Sequence, residues 1–269
     1  MKLLYIFSGV AASLLTTISV AMAQEKLDVF NTFDDNSETV VEHSDWGNFL
    51  GKFVRTQEDG LTVVDYGAVS EQDHDTLKTY LSDLQAKDPT TLNRDEAFVY
   101  WVNLYNALTV DIILDNYPLR SIRNIFSGIR PGPWQRQLAT INGVKLSLDN
   151  IEHGILRKFW SDNRVHYAVN CASIGCPNLL DRPFTVVNLE EMLDAAARGY
   201  VNHPRGVRVE NNRVIASSIY NWFQEDFGGN QSGVLEHLRQ YANPETEEML
   251  KNARKIHKFE YNWRLNDAE

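Results

Sequence analysis

The sequence predicts an α+β fold in a single domain, with a central helix packed on a mainly antiparallel sheet. Three observations carry this. The stretch AFVYWVNLYNALTVDIILDNY, from Ala97, is apolar on almost every side of a helix and so marks a buried centre. Amphipathic segments at residues 73–84 and 189–201 supply helices to pack against it. Short runs rich in β-branched residues sit between turn signals; residues 207–209 and 213–215 around Asn211-Asn212 read as a hairpin.

Residues 1–23 read as a targeting segment. Lys2 gives a charged start, residues 3–20 are mostly apolar, and Ala21-Met22-Ala23 has the small-x-small pattern of a cleavage site. Ser8, Gly9, Ser13, Thr16, Thr17 and Ser19 dilute the apolar run, which argues against a retained anchor. The expectation is a cleaved signal peptide and a mature chain in the periplasm or secreted, with no stable membrane insertion after cleavage. Residues 24–60 are assigned to an N-terminal arm, loosely attached where it is polar and acidic (Asp34-Asp35-Asn36-Ser37-Glu38), and residues 61–269 to the single domain.

Within that domain, residues 62–66 (TVVDY) predict a short strand. From Asp73, Leu77, Tyr80, Leu81 and Leu84 recur at helical spacing until Asp88-Pro89. Asn93 or Asp95 caps the central helix, which stops before Pro118. Residues 120–143, with Ser127-Gly128, Pro131-Gly132-Pro133 and Asn142-Gly143, predict a long irregular loop of a length often tied to function. Trp134 within it packs over the core or walls a cleft. Ser147-Leu148-Asp149 starts a helix whose apolar face is Ile151, Ile155, Leu156 and Phe159. Residues 165–169 predict a strand and residues 170–178 the turn after it. An aromatic-rich segment at 218–227, a last helix at 234–241 and a last strand at 258–263 complete the chain.

Removal of residues 1–23 leaves 246 of 269, enough for one substantial core. Lys2 goes with them, leaving 25 basic against 36 acidic residues and a formal charge of −11. Such a balance disfavours nucleic acid and anionic lipid as main partners, since both need concentrated Lys and Arg. Two cysteines in a chain of this length do not make a disulfide scaffold. No cofactor is expected.

Chemistry concentrates in RVHYAVNCASIGCPNLLD, from Arg164, which holds Cys171 and Cys176 and follows a Glu152-His153 pair on a helix. A thiol there suits a thiolate nucleophile, a disulfide clip or a metal site. A thiolate needs a base, and both His153 and His166 are near in sequence. His166 precedes Cys171 by five residues, so on a continuous strand the two side chains point to opposite faces, which favours His153. Glu152, one residue from His153, is about 100° away around a helix, whereas Asp149 at i−4 shares its face. Asn103 and Asn106 share a face of the central helix; their amides either make helix-to-loop hydrogen bonds or orient the imidazole. A zinc site from His153, His166, Cys171 and Cys176 has the right ligand count, but its spacings match no common zinc pattern, and no metal is expected. The spacing C-x4-C is also not the C-x-x-C of redox enzymes. The plainest alternative makes Cys171 a small buried hydrophobe and the histidines satisfied structural residues.

Several blocks together resemble the family known as domain of unknown function 547: AFVYWVNLYNALTVDIIL, LSLDNIEHGILR, RVHYAVNCASIGCPNL, LDAAARGYVN, SIYNWFQEDFG and YNWRLND, spanning about residues 97–267. That family is likened to cysteine-protease and transglutaminase folds with a Glu, His and Cys grouping. The resemblance implies a papain-like or transglutaminase-like core in which Glu152, His153 and Cys171 carry the chemistry, while His166 and Cys176 correspond to replaceable positions. The expected function is a thiol-dependent hydrolase or acyl transferase on an amide bond of a peptide or small thiol or amide substrate, with backbone N–H groups of residues 171–175 as an oxyanion hole. The competing expectation is a non-catalytic cell-envelope binding module with an oxidised Cys171–Cys176 pair.

Overall fold

A computed structural model of the chain describes residues 26–125 and 132–268. The targeting segment and part of the long loop, including Ser127, Gly128 and Pro131, lie outside the described residues.

Helix α1 (Ser44–Phe53) leads into the antiparallel pair β1 (Val54–Thr56) and β2 (Thr62–Val64). Helix α2 (Glu71–Gln85) is capped by Ser70, whose side chain accepts from the Asp73 N–H. Helix α3 (Arg94–Leu114) is the central helix, capped by Asn93, whose amide oxygen accepts from the Glu96 N–H at 2.9 Å. By length and composition α3 suits a membrane span, but 89% of its most apolar window is buried in the protein, which accounts for its hydropathy.

The loop after α3 yields a hairpin that turn-rich composition concealed: β3 (Ala139–Ile141) and β4 (Val144–Leu146) pair antiparallel around Asn142-Gly143, both at positive φ. A π-helix (Asn150–Leu156) follows and continues as α4 (Arg157–Trp160). Helix α5 is one turn (Val165–Ala168), α6 runs Leu189–Val201, and β5 (Val207–Glu210) pairs antiparallel with β6 (Arg213–Ser217). Helices α7 (Ile219–Trp222), α8 (Gln231–Tyr241) and α9 (Pro244–Leu250) precede β7 (Lys258–Glu260), which pairs parallel with β6.

The class is α+β, but the central helix does not lie on one sheet. The strands form three separate small sheets, and α3 is enclosed chiefly by α2, the π-helix and short 3-10 turns. Residues 26–60 also depart from a loose arm. Trp46, Phe49, Leu50 and Phe53 fall at i, i+3, i+4 and i+7 of α1 and are buried, as are Leu27, Phe30 and Val41, so apolar spacing outweighs the acidic composition around them.

Burial divides between two cores. The larger surrounds α3; the smaller gathers Tyr167, Tyr200, Tyr220, Phe227, Leu238 and their neighbours beside β5–β7. The C-terminal residues thread back between elements: Leu265 N–H donates to Arg120 O, Val64 N–H to Asn266 O, and Ile174 N–H to Arg264 O, each at 2.8 Å. That return path presses residues 261–265 against the cysteine turn.

Candidate active site

Residues 165–168 form a helical turn rather than the expected strand. The Asp162 carboxylate accepts from the Arg164 N–H, and Tyr167 N–H and Val169 N–H donate to Arg164 O and Val165 O. A short apolar run fits a buried helical turn as well as a strand, and here the preceding Asp-Asn turn decides. The strand-parity reason for setting His166 aside therefore has no structural basis.

Asn106 holds the exit from this turn: its amide donates to Ala168 O at 2.9 Å and accepts from Asn170 N–H at 2.8 Å. Asn170 in turn donates to Pro177 O and accepts from Ala172 N–H. Asn103 makes the equivalent pair of bonds to Phe184. Both asparagines thus brace loops against α3, and neither lines the cavity described below.

Between Asn170 and Pro177 the chain reverses through Ala172 at φ 55°, a left-handed conformation that costs a non-glycine residue energy and is held by burial on all sides. Gly175 lies where a Cβ would come within 2.8 Å of Asn262 N, so the C-terminal return can approach only a glycine. Cys171 and Cys176 are joined by a disulfide, with Cα atoms 6.2 Å apart. Cys176 is buried and Cys171 half-buried. Four of the five N–H groups expected to form an oxyanion hole are engaged: Cys171 N–H donates to Cys176 Sγ, Ala172 N–H to Asn170, Ile174 N–H to Arg264 O and Gly175 N–H to Asn262 O. Two hydroxyls stand beside the sulfur: that of Tyr261, 2.9 Å from Cys171 Sγ and 2.9 Å from Ser173 Oγ, and that of Ser173, 3.5 Å from Cys171 Sγ. Burial, then the nearby Tyr200, push the Tyr261 phenol well up, so it stays protonated and able to donate.

Facing this turn is the π-helix, started where Ser147 Oγ accepts from the Asn150 N–H. Glu152 is 8% exposed; Tyr105 Oη donates to its Oε2 at 3.0 Å. Burial raises the Glu152 carboxyl, against the opposing pull of His166 and Tyr105. The His153 side chain is 38% exposed, with Nδ1 3.7 Å from Glu152 Oε1 and Nε2 3.9 Å from Asp149 Oδ1. Arg157 donates to its Nδ1 at 3.2 Å, which requires the neutral Nε2–H tautomer. Burial, then the Arg157 charge, lower the His153 pKa and keep the ring neutral at neutral pH.

His166 enters the same space from α5. Its Nε2 lies 2.6 Å from Asp226 Oδ2, its Nδ1 faces Glu152 Oε1 at 4.0 Å, and its ring stacks on Phe223 with centroids 4.4 Å apart. Arg157 Nε donates to the same Asp226 oxygen at 2.6 Å. Burial raises the Asp226 carboxyl, but the bonds from His166 and Arg157 outweigh it and hold the group well below the usual carboxylate range. Asp226 and Tyr261 escape a reading of the sequence because no local spacing links them to Cys171 or His166; their only trace is membership of the blocks SIYNWFQEDFG and YNWRLND.

These elements enclose a cavity of about 180 Å³ lined by Asp149, Glu152, His153, His166, Cys171 and Cys176, with Trp134, Trp222, Phe223, Tyr261 and Trp263 as aromatic wall. Trp134 thus walls the cleft while also packing on the larger core. A separate cluster, His74, Asp111 and Asp115, brings three ligand-type atoms within 4.8 Å of one another, but Lys78 already pairs with Asp115 at 2.9 Å. No curated protein and no solved structure matches the chain. Residues 89–201, which contribute the π-helix and the cysteine turn but not Asp226 or Tyr261, match the model of the family described as protein of unknown function, DUF547.

Proposed function

We propose that the cleft is the site of a thiol-dependent hydrolase or acyl transferase acting on an amide bond, with Cys171 as nucleophile once the Cys171–Cys176 disulfide is reduced. The observation that carries this is the meeting of a half-buried sulfur, two imidazoles and a buried carboxyl in one aromatic-walled cavity. A thiol reductant converts the disulfide to two thiols and is itself oxidised to a disulfide. His153, neutral and partly exposed, takes the Cys171 proton at Nδ1, its one unprotonated nitrogen, as Arg157 gives up its bond there, and the thiolate attacks the amide carbonyl. Tyr261 donates to the developing oxyanion. Collapse breaks the C–N bond; the amine leaves with the proton from His153, and water or a second nucleophile releases the acyl group from sulfur. Asp149 faces Nε2–H and orients the ring, Glu152 faces Nδ1 and stabilises the imidazolium once it forms, and His166, fixed by Asp226, closes the floor. On this reading the helix and turn are a version of a papain-like or transglutaminase-like core. Removal of residues 1–23 on export would place the protein in the periplasm or outside the cell, where the oxidised pair persists.

A second reading, a non-catalytic cell-envelope binding module, is favoured by the disulfide itself and by the engagement of four of the turn's N–H groups. Alkylation of the reduced, desalted protein across pH 5 to 9 separates them. The enzyme reading expects Cys171 to react with an apparent pKa below the value of about 8.5 for a free thiol, and His153→Ala to slow it at neutral pH. Ordinary thiol reactivity, unchanged in His153→Ala, would leave the binding module.

A further inference from the structure

The cleft and a neighbouring cavity of about 460 Å³ share two residues, Trp134 and Asp149. Among the described residues the Asp149 carboxylate accepts no hydrogen bond, and its nearest charge partner is His153 at 3.9 Å, an imidazole that burial keeps neutral at neutral pH. The side chain is 35% exposed on the cavity side, so the carboxylate is open to a donor-bearing cation entering there. Around Asp149 stand electron-rich rings: Trp134 lies edge-on to Trp263 at 5.6 Å, and Trp222 stacks on Trp263 at 5.6 Å. Rings of this aromatic wall already carry cations of the protein's own. Arg123 sits 5.2 Å from the Trp263 centroid, and Arg157 sits 4.7 Å from that of Phe223.

We propose that the cleft selects its substrate by a basic side chain, an ammonium or guanidinium seated at Asp149 against Trp134 and Trp263. The inference rests on the thiol-enzyme reading for what happens next, and names the substrate class as a peptide with a Lys- or Arg-like residue beside the scissile amide. Tyr261 links the two places: its ring lies 4.5 Å from Trp263, and its hydroxyl touches Cys171 Sγ. A side chain on Trp263 therefore brings its own backbone toward the sulfur. A neutral sugar would also stack on an indole, but it would leave Asp149 without a counter-charge.

The test is tryptophan fluorescence titration of the full-length oxidised protein with Nα-acetyl-lysine methylamide, its neutral norleucine counterpart and N-acetylglucosamine. The cationic ligand should bind about tenfold more tightly than the norleucine compound, with the preference shrinking in high salt. Asp149→Asn should remove the preference, and Trp222→Ala, a change at a ring 46% exposed, should weaken cation binding about threefold with an unchanged far-UV circular dichroism spectrum. Equal affinity for both peptides, binding of the sugar alone, or no saturable binding would overturn the inference. Because the oxidised protein is titrated, the outcomes separate: cation selectivity with an inert reduced thiol sinks the enzyme reading alone, and a reactive thiol without selectivity sinks this one alone.

Discussion

The two walls of the cleft are built on different plans. One, the π-helix and the cysteine turn, is packed on the larger core and holds Glu152, fixed by Tyr105 of α3, His153, bonded by Arg157, and the cysteines, braced through Asn106 of α3. The other, from residues 219–263, hangs on the smaller core and is mostly aromatic surface, with Trp222 open to solvent. Yet this second wall sends two polar groups across: Asp226 to His166 and Tyr261 to Cys171. Reactive groups and the groups that tune them thus belong to separate cores. The difference teaches that a motif reading finds the first kind and misses the second.

The sharpest break of this comparison is at the sulfur. In reduced protein, Cys171→Ser should abolish rapid alkylation altogether, while Tyr261→Phe on the opposite wall should slow it about tenfold at neutral pH by removing a hydrogen bond to the thiolate, read from the rate against pH. Loss of rate in both to the same extent would mean that the walls are not separate in role.

Next in size is the acid response of two buried histidines, His43 and His237. Burial lowers His43 and His237 to about 4. Below about pH 6.5 the unfolded chain takes up protons that the folded protein refuses, so stability is full above that value and falls toward pH 4, by up to about 3 kcal/mol per histidine. Urea unfolding from pH 7 to 4 should record this, and His237→Gln should remove about half of the slope. A flat profile would show that these rings are solvated.

Replacing both cysteines by serine should cost about 2 kcal/mol of unfolding free energy, because so short a loop constrains the unfolded chain little. Asp226→Asn should cost less, about 1–2 kcal/mol, since Arg157 and His166 keep a neutral acceptor. Asp226 titrates lower folded than unfolded, so the difference between the two proteins should be full above about pH 4 and vanish as pH falls below it.

Legibility in the sequence followed the range of the forces involved. Helix α3 was readable because twenty-odd residues agree, apolar on every side, with Asn93 as a cap and Pro118 beyond the end. Glu152, His153 and Cys171 were readable as a grouping, and they do line one cavity with Asp149, His166 and Cys176. The five residues from Val165 carry too little periodicity to separate a helical turn from a strand, which removes one of the two grounds for setting His166 aside, the other being the family resemblance. The β3–β4 hairpin was hidden by the prolines and glycines before it. Asp226 and Tyr261 meet the site only through tertiary packing, for which a single sequence carries no local signal.

The central claim, that reduced Cys171 is an acyl-accepting nucleophile, is tested most directly by mass spectrometry of the intact protein after brief exposure to a p-nitrophenyl ester of Nα-acetyl-lysine. The account predicts a p-nitrophenol burst and one acyl adduct on Cys171 in reduced protein, absent from the oxidised form and from Cys171→Ser. An unmodified reduced protein, or an adduct that persists in Cys171→Ser, would contradict it.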